Sequence, residues 1–144
     1  MKTRNAEIVF TSRMNGHGQS DQEQKTTAVL RGRIGVSGSS LYLSFSDKIA
    51  DVGPADYTVR ISGNEALILR KGALPMRQPL LLGTTMDGTY ETAFGLMETK
   101  ATAEKIETVS DSSGNSGSVH LVYELNMQGQ SVGKLTLDYH YMVN

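Results

Sequence analysis

The feature that most restricts this chain is a two-residue alternation of apolar and polar side chains that recurs along its length. Leu41, Leu43 and Phe45 alternate with Tyr42 and Ser44, and Tyr57, Val59 and Ile61 alternate with Thr58 and Arg60. Val119, Leu121, Tyr123 and Leu125 repeat the pattern, as do Leu135, Leu137, Tyr139 and Tyr141. Successive side chains of a strand leave opposite faces, so this period fits half-buried strands. No window of helical period is long enough to compete. Gly, Ser, Asn and Asp cut the alternation into short runs, which is the pattern of an all-β chain with little or no helix.

Strands are expected at residues 7–13, 26–34, 40–46, 57–61, 66–71 and 76–82. Residues 62–65 read as a tight turn. A hairpin turn falls at Ala93-Phe94, with Gly95 free to take positive φ. Residues 96–110 read as one long, twisted strand, followed by a loop at 111–117. At the C-terminus, a three-residue loop from Met127 to Gly129 with a glycine bulge would pair Asn126 with Gln130, Leu121 with Leu135 and Val119 with Leu137. A plain two-residue turn would set inward residues opposite outward ones, so parity argues against it. Asn15 to Gln24 is polar and reads as a loop.

Roughly eight to ten strands joined by short connections close most simply into a single antiparallel up-and-down barrel, because closure removes sheet edges. With 144 residues, the chain fits one domain, 1–144. It has no cysteine, which excludes disulfides, thiol catalysis and Cys-ligated metals. Its formal net charge of −1 gives no overall pull toward nucleic acid or anionic lipid. No apolar run approaches the roughly 18 residues of a helical membrane span, and the first residues lack the apolar core of a secretion signal. A soluble, cytoplasmic protein without a membrane partner is therefore expected.

Arg70-Lys71-Gly72, Met76-Arg77-Gln78 and Tyr90-Glu91-Thr92-Ala93-Phe94-Gly95-Leu96-Met97 follow one another in an order that resembles the YwiB-like family of small bacterial proteins, a domain of unknown function. A Thr-rich long strand and Tyr123-Glu124-Leu125 continue the order, so the resemblance covers residues 7–141. Asp47, after Phe45-Ser46, stands where a Glu is expected in that family. The resemblance implies a calycin-like barrel, the architecture of lipocalins and fatty-acid-binding proteins, and implies no activity. The chain lacks the Gly-x-Trp of lipocalins and the Arg-x-Tyr with which fatty-acid binders hold a carboxylate.

Chemistry is sparse. The expected register sets His120 opposite Thr136 and His140 opposite Ser116, both outward and roughly 13 Å apart at ~3.4 Å per residue, too far for one metal ion. His17 lies in the polar loop. No nucleophile elbow or phosphate loop occurs. The faces of Glu91, Glu98, Glu104 and Glu107 are not fixed, so no acid/base pair is assigned. The glycines of residues 32–38 suit a strongly bent strand or bulge. No metal, cofactor or catalytic residue is expected.

Arginine and tyrosine are more informative. An inward Arg70 or Arg77 would be a buried guanidinium, which calls for an anion such as a carboxylate or phosphate. Alternation groups Arg77 with Pro79 and Leu81, opposite the more apolar face of Met76, Gln78, Leu80 and Leu82. Arg77 is therefore expected outside and Gln78 inside. Tyr123, Tyr139 and Tyr141 fall on inward positions, while Met76, Met97 and Met127 could shape an adaptable wall. The interior ligand-binding candidates are Arg70, Gln78, Tyr123, Tyr139 and Tyr141.

The expected function is non-enzymatic binding of a small lipophilic or anionic molecule, which needs a cavity of about 300 Å³ or more. The alternative is an interaction module or homodimer acting through the outer surface, where Val122 and Met142 hint at an apolar patch. Single-stranded nucleic-acid binding through Arg31, Arg33, Arg60 and Arg70, with Tyr42 for stacking, is disfavoured by the balanced charge.

Overall fold

The computed structural model describes residues 2–16 and 23–144. Among them every regular element is a strand: β1 (Thr3–Asn15), β2 (Glu23–Ser37), β3 (Ser40–Ile49), β4 (Gly53–Ser62), β5 (Glu65–Gly72), β6 (Met76–Leu81), β7 (Thr85–Thr92), β8 (Gly95–Ser110), β9 (Ser116–Met127) and β10 (Gln130–Val143). Each strand pairs with the next, and β1 closes onto β10, giving a ten-stranded antiparallel up-and-down barrel. The expected strands fall inside these spans and are mostly shorter, except that 76–82 overruns β6 by one residue. Polar strand ends show no alternation, yet they pair through the backbone regardless of side chain. The expected loop at 15–24 is corrected in this way, because Asn15 pairs with Glu23 and Met14 with Gln24. Its middle, including His17, lies outside the described residues.

The C-terminal hairpin departs from its expected register. Met127 pairs with Gln130 across a two-residue turn in which Gln128 and Gly129 both have positive φ, 52° and 80°. This is a type I′ geometry, whose twist matches the strands it joins. Register then shifts between Ser131 and Gly133, where Val132 bulges. The extra residue restores the parity that a two-residue turn alone would reverse. Leu121 consequently pairs with Leu137 and Val119 with Tyr139. The expected faces hold, but the partners move by two residues. The turns at 63–64 and 93–94 fall where expected, with Ser62 opposite Glu65 and Thr92 opposite Gly95.

Gly32 is a close-approach position without a register shift. A methyl group there would meet the Ser44 carbonyl and Ile8 Cδ1. β2 pairs with β1 from Glu23 to Gly35 but with β3 only from Gly32 onward, so the strand bends around this residue.

The two ends of the barrel differ. Toward the β8–β9 loop, inward side chains pack into a core that includes Ile8, Leu43, Val59, Leu80, Val119 and Leu121. Each buried branched side chain of this kind contributes roughly 1.5–3 kcal/mol. Arg4 fastens the loop over this end, donating from Nη1 to Asn115 Oδ1 at 2.9 Å and from Nη2 to the Gly114 carbonyl at 2.8 Å. At the opposite end, inward residues Phe10, Leu30, Tyr57, Met76, Tyr90, Leu125 and Leu135 are only half-buried. One end is therefore closed and packed, and the other is open.

Candidate functional site

The site grows from the alternation of β5. Ala66 and Ile68 are buried inward, so the strand period carries Arg70 inward as well, where it is 9% exposed. In the neighbouring strands Arg70 pairs with Tyr57 on β4 and Met76 on β6, and Met76 pairs with Tyr90 on β7. The guanidinium reaches past Met76, with Cζ 4.8 Å from the Tyr90 ring centroid and 5.9 Å from that of Tyr57. Both rings present their negative faces to the cation.

The polar contacts of Arg70 are incomplete. Nε donates to the Leu74 carbonyl at 2.6 Å, from a turn where Leu74 holds φ 48°. Nη2 is buried with no partner, and among the described residues no carboxylate forms an ion pair with Arg70. Burial pulls its pKa down, but the Tyr90 and Tyr57 hydroxyls more than offset that, and the net direction is up. A charged donor is thus held inside the barrel with an unused hydrogen.

The aromatic residues form a wall beside it. Phe10 stacks on Tyr139 at 4.8 Å and Phe45 on Tyr57 at 5.0 Å. Burial pushes the Tyr123 hydroxyl above the ordinary tyrosine range, with a smaller contribution from Tyr90. Burial does the same to Tyr139, with Tyr123 and Tyr57 adding to it. Tyr57, Tyr90, Tyr123 and Tyr139 therefore belong to one electrostatic neighbourhood with Arg70.

Gln78 is inward as expected and 3% exposed. Its Oε1 accepts from Thr99 Oγ1 at 2.5 Å, and its Nε2 donates to the Pro79 carbonyl at 2.8 Å and more weakly to the Met86 carbonyl at 3.4 Å. Tyr141 does not join the site. It lies in the closed half against Gly117, where burial raises its pKa first, Asp111 second, and Arg4 opposes them. Arg77 is exposed and outward, as the alternation requires.

Tyr57, Tyr90 and Thr99 were missed as site residues. Tyr57 shares its inward face with Val59 and Ile61, so parity alone could have nominated it. Thr99 shares a face with Ala101 and Ala103, which are buried. Tyr90 needed the β6–β7 pairing, which no local pattern reveals.

Other expected positions lie outside this site. His120 faces Asp138, not Thr136, with Nδ1 and Oδ1 2.5 Å apart, and His140 faces Ser118. Among the described residues no group of three His, Asp or Glu could hold a metal ion. Val122 is covered at 8% exposure and drops out of the expected outer patch, whereas Met142 is 64% exposed. Arg70 is inside, apart from the exposed Arg31, Arg33 and Arg60.

The packed half leaves no room at the closed end, and two clefts open on the outer wall. A cleft of about 570 Å³ opens on the outer wall along Arg77, Asp87, Gly88, Thr89, Glu98 and Lys100. A smaller one of about 310 Å³ runs beside Arg31, Arg33, Ser44 and Asp56. Arg70 lines neither, but its neighbours Met76 and Tyr90 directly adjoin Arg77 and Thr89 of the larger cleft.

These features define a closed, ten-stranded antiparallel barrel with an inward, uncompensated arginine. The family model for the domain of unknown function DUF1934 matches residues 10–138, and the chain belongs to that family. It is similar to the uncharacterized beta-barrel protein YwiB of Bacillus subtilis (strain 168), with 26% identity over 106 residues, 72% of each chain. The crystal structure of the ywiB protein from Bacillus subtilis has the same fold, with a TM-score of 0.82 at 19% identity, covering 99% of this chain and 93% of that one.

Proposed function

We propose that this barrel binds a small anionic molecule whose charged group is received by Arg70. The observation that carries the reading is the buried Nη2 with no partner, on a guanidinium that no described carboxylate compensates. A buried donor left without a partner costs about 1–3 kcal/mol, and a bound carboxylate or phosphate would remove that cost while using the guanidinium's fork geometry. The stacked rings of Phe10, Tyr139, Phe45 and Tyr57 suit an apolar body attached to the anion.

A fluorescence titration with the anionic dye anilinonaphthalene sulfonate tests this. Wild-type protein is expected to bind one equivalent with its near-ultraviolet dichroism unchanged. Arg70→Met is expected to weaken binding about tenfold or more, and Arg70→Lys less, because a point charge lacks the planar fork. Equal affinity in Arg70→Met would overturn the proposal. A second reading, self-association through the outer face, is favoured by Val29, Val109 and Met142, each more than 60% exposed. Sedimentation as a monomer at high protein concentration would remove it.

A further inference from the structure

The wall of this barrel is not uniformly zipped. β5 and β6 share six paired residues, and β7 and β8 share eight, but β6 and β7 share only Met76↔Tyr90 and Arg77↔Thr89. Beyond them no further ladder pair forms until an isolated bridge joins Leu81 to Thr84. Pro79 explains the break. Its carbonyl accepts from Gln78 Nε2, which also reaches Met86 of β7, so the side of Pro79 that lacks an N–H faces β7. The Gln78 amide substitutes for the missing backbone donor, and Thr99 holds that amide from β8. Gly88 lets β7 approach the β6 backbone and this side-chain pair, since a methyl group there would lie 2.6 Å from both the Arg77 carbonyl and Gln78 Oε1 and 2.7 Å from Thr99 Oγ1.

This seam lies between the larger outer cleft and the buried arginine. The cleft of about 570 Å³ is lined by Arg77, Gly88 and Thr99 among others, and Arg77 has no ion-pair partner among the described residues. On the inner side, the Arg70 guanidinium reaches β7, over the ring of Tyr90, one residue from the last paired position. Nη2 itself is closed to solvent.

We infer that the β6–β7 seam is a side port through which an anionic ligand reaches Arg70, with Gln78 and Thr99 as its latch. The inference rests on the anion-binding reading above. An anion collects in the outer cleft at Arg77. Rotation of Gln78 away from Thr99 then parts the seam, and the anion passes to Arg70. Few ladder bonds cross here, so parting the seam breaks mainly the side-chain hydrogen bonds of Gln78. Nη2, closed to solvent while the latch is made, thereby becomes reachable without unfolding.

Two measurements on the intact protein test the port. In hydrogen exchange, the amides of residues 85–88 are expected to exchange at least tenfold faster than those of the β3–β4 ladder, and Thr99→Val is expected to speed the former alone. In stopped-flow mixing with anilinonaphthalene sulfonate, Thr99→Val and Gln78→Leu are expected to raise association and dissociation rates together, about fivefold or more. Arg77→Gln is expected to slow association alone and to flatten its salt dependence. Unchanged rates in a folded Thr99→Val protein that still binds the dye through Arg70 would overturn the port and leave the binding site standing. Seam amides as protected as those of β3–β4 would also overturn it. Absence of dye binding in the wild type would remove both proposals.

Discussion

Arg70 sets what a single residue can tell about this protein. A buried guanidinium with an unpartnered nitrogen is a cost to the fold, so removing it should help stability if its purpose is binding. Arg70→Met is therefore expected to raise the urea midpoint, by the equivalent of about 1 kcal/mol, while it weakens anion binding. A lower midpoint would mean that the contacts to Leu74, Tyr57 and Tyr90 are structural. Gly117 makes the opposite case. A methyl group there collides with the Val109 carbonyl and the Tyr141 hydroxyl, and a backbone carbonyl cannot move aside cheaply. Gly117→Ala is expected to lose about 1–3 kcal/mol in urea unfolding.

Tyr123 and Tyr139 add a pH dependence at the same scale. Burial raises both hydroxyls above their unfolded value of about 10. A group whose folded pKa is raised contributes stability that is complete below the unfolded pKa and is lost as pH rises through the folded one. Stability is thus expected to be insensitive to these two tyrosines at neutral pH and to fall above about pH 10. Urea midpoints measured across that range check the direction. A Tyr123→Phe, Tyr139→Phe double variant should show a shallower decline.

At the scale of elements, the C-terminal hairpin shows why parity outlasts register. Faces are dictated by the alternation of Leu121, Tyr123, Leu137 and Tyr139, all buried here. The partner of each residue depends on the turn, and Gln128 adopts positive φ although nothing in its chemistry requires it. A compensating bond is visible only in the fold, since Gln128 Oε1 accepts from the Glu98 amide at 2.8 Å. Val132 then supplies the extra residue that brings the faces back into phase. Its deletion would have to turn one part of β10 inside out, so cooperative unfolding is expected to be lost. Calorimetry showing an intact transition would contradict this account. The seam between β6 and β7 has a sequence origin as well, in Pro79, but the strand that loses its partner there is identified only by the neighbours.

For the whole molecule, closure is the decisive event. β1 pairs with β10 from Ala6↔Val143 to Asn15↔Lys134, joining residues at opposite ends of the chain. Contacts this distant along the chain impose a large loop-closure cost before they are rewarded. Refolding is expected in roughly the millisecond-to-second range of non-local β proteins. Val9→Asp, on the outer face, should leave that rate nearly unchanged. Ile8→Ala, in the closing core, should lower stability by about 2–5 kcal/mol, read from the urea midpoint and the chevron arms.

The sequence by itself determined the strand character, the inward faces and most turns, because period-two alternation and turn-forming residues are local properties. It also determined that Gln78 points inward and Arg77 outward, through the parity of β6. It raised the inward arginine as a question without answering it, since Arg70 has one polar and one apolar neighbourhood in the linear text. Only the tertiary structure decided that Arg70 lies beside Tyr57 and Tyr90, that Tyr141 belongs to the packed end, and that a ligand-sized cleft opens on the wall. Those are facts about which strands are adjacent and how far each side chain reaches across them, and adjacency is fixed when the barrel closes.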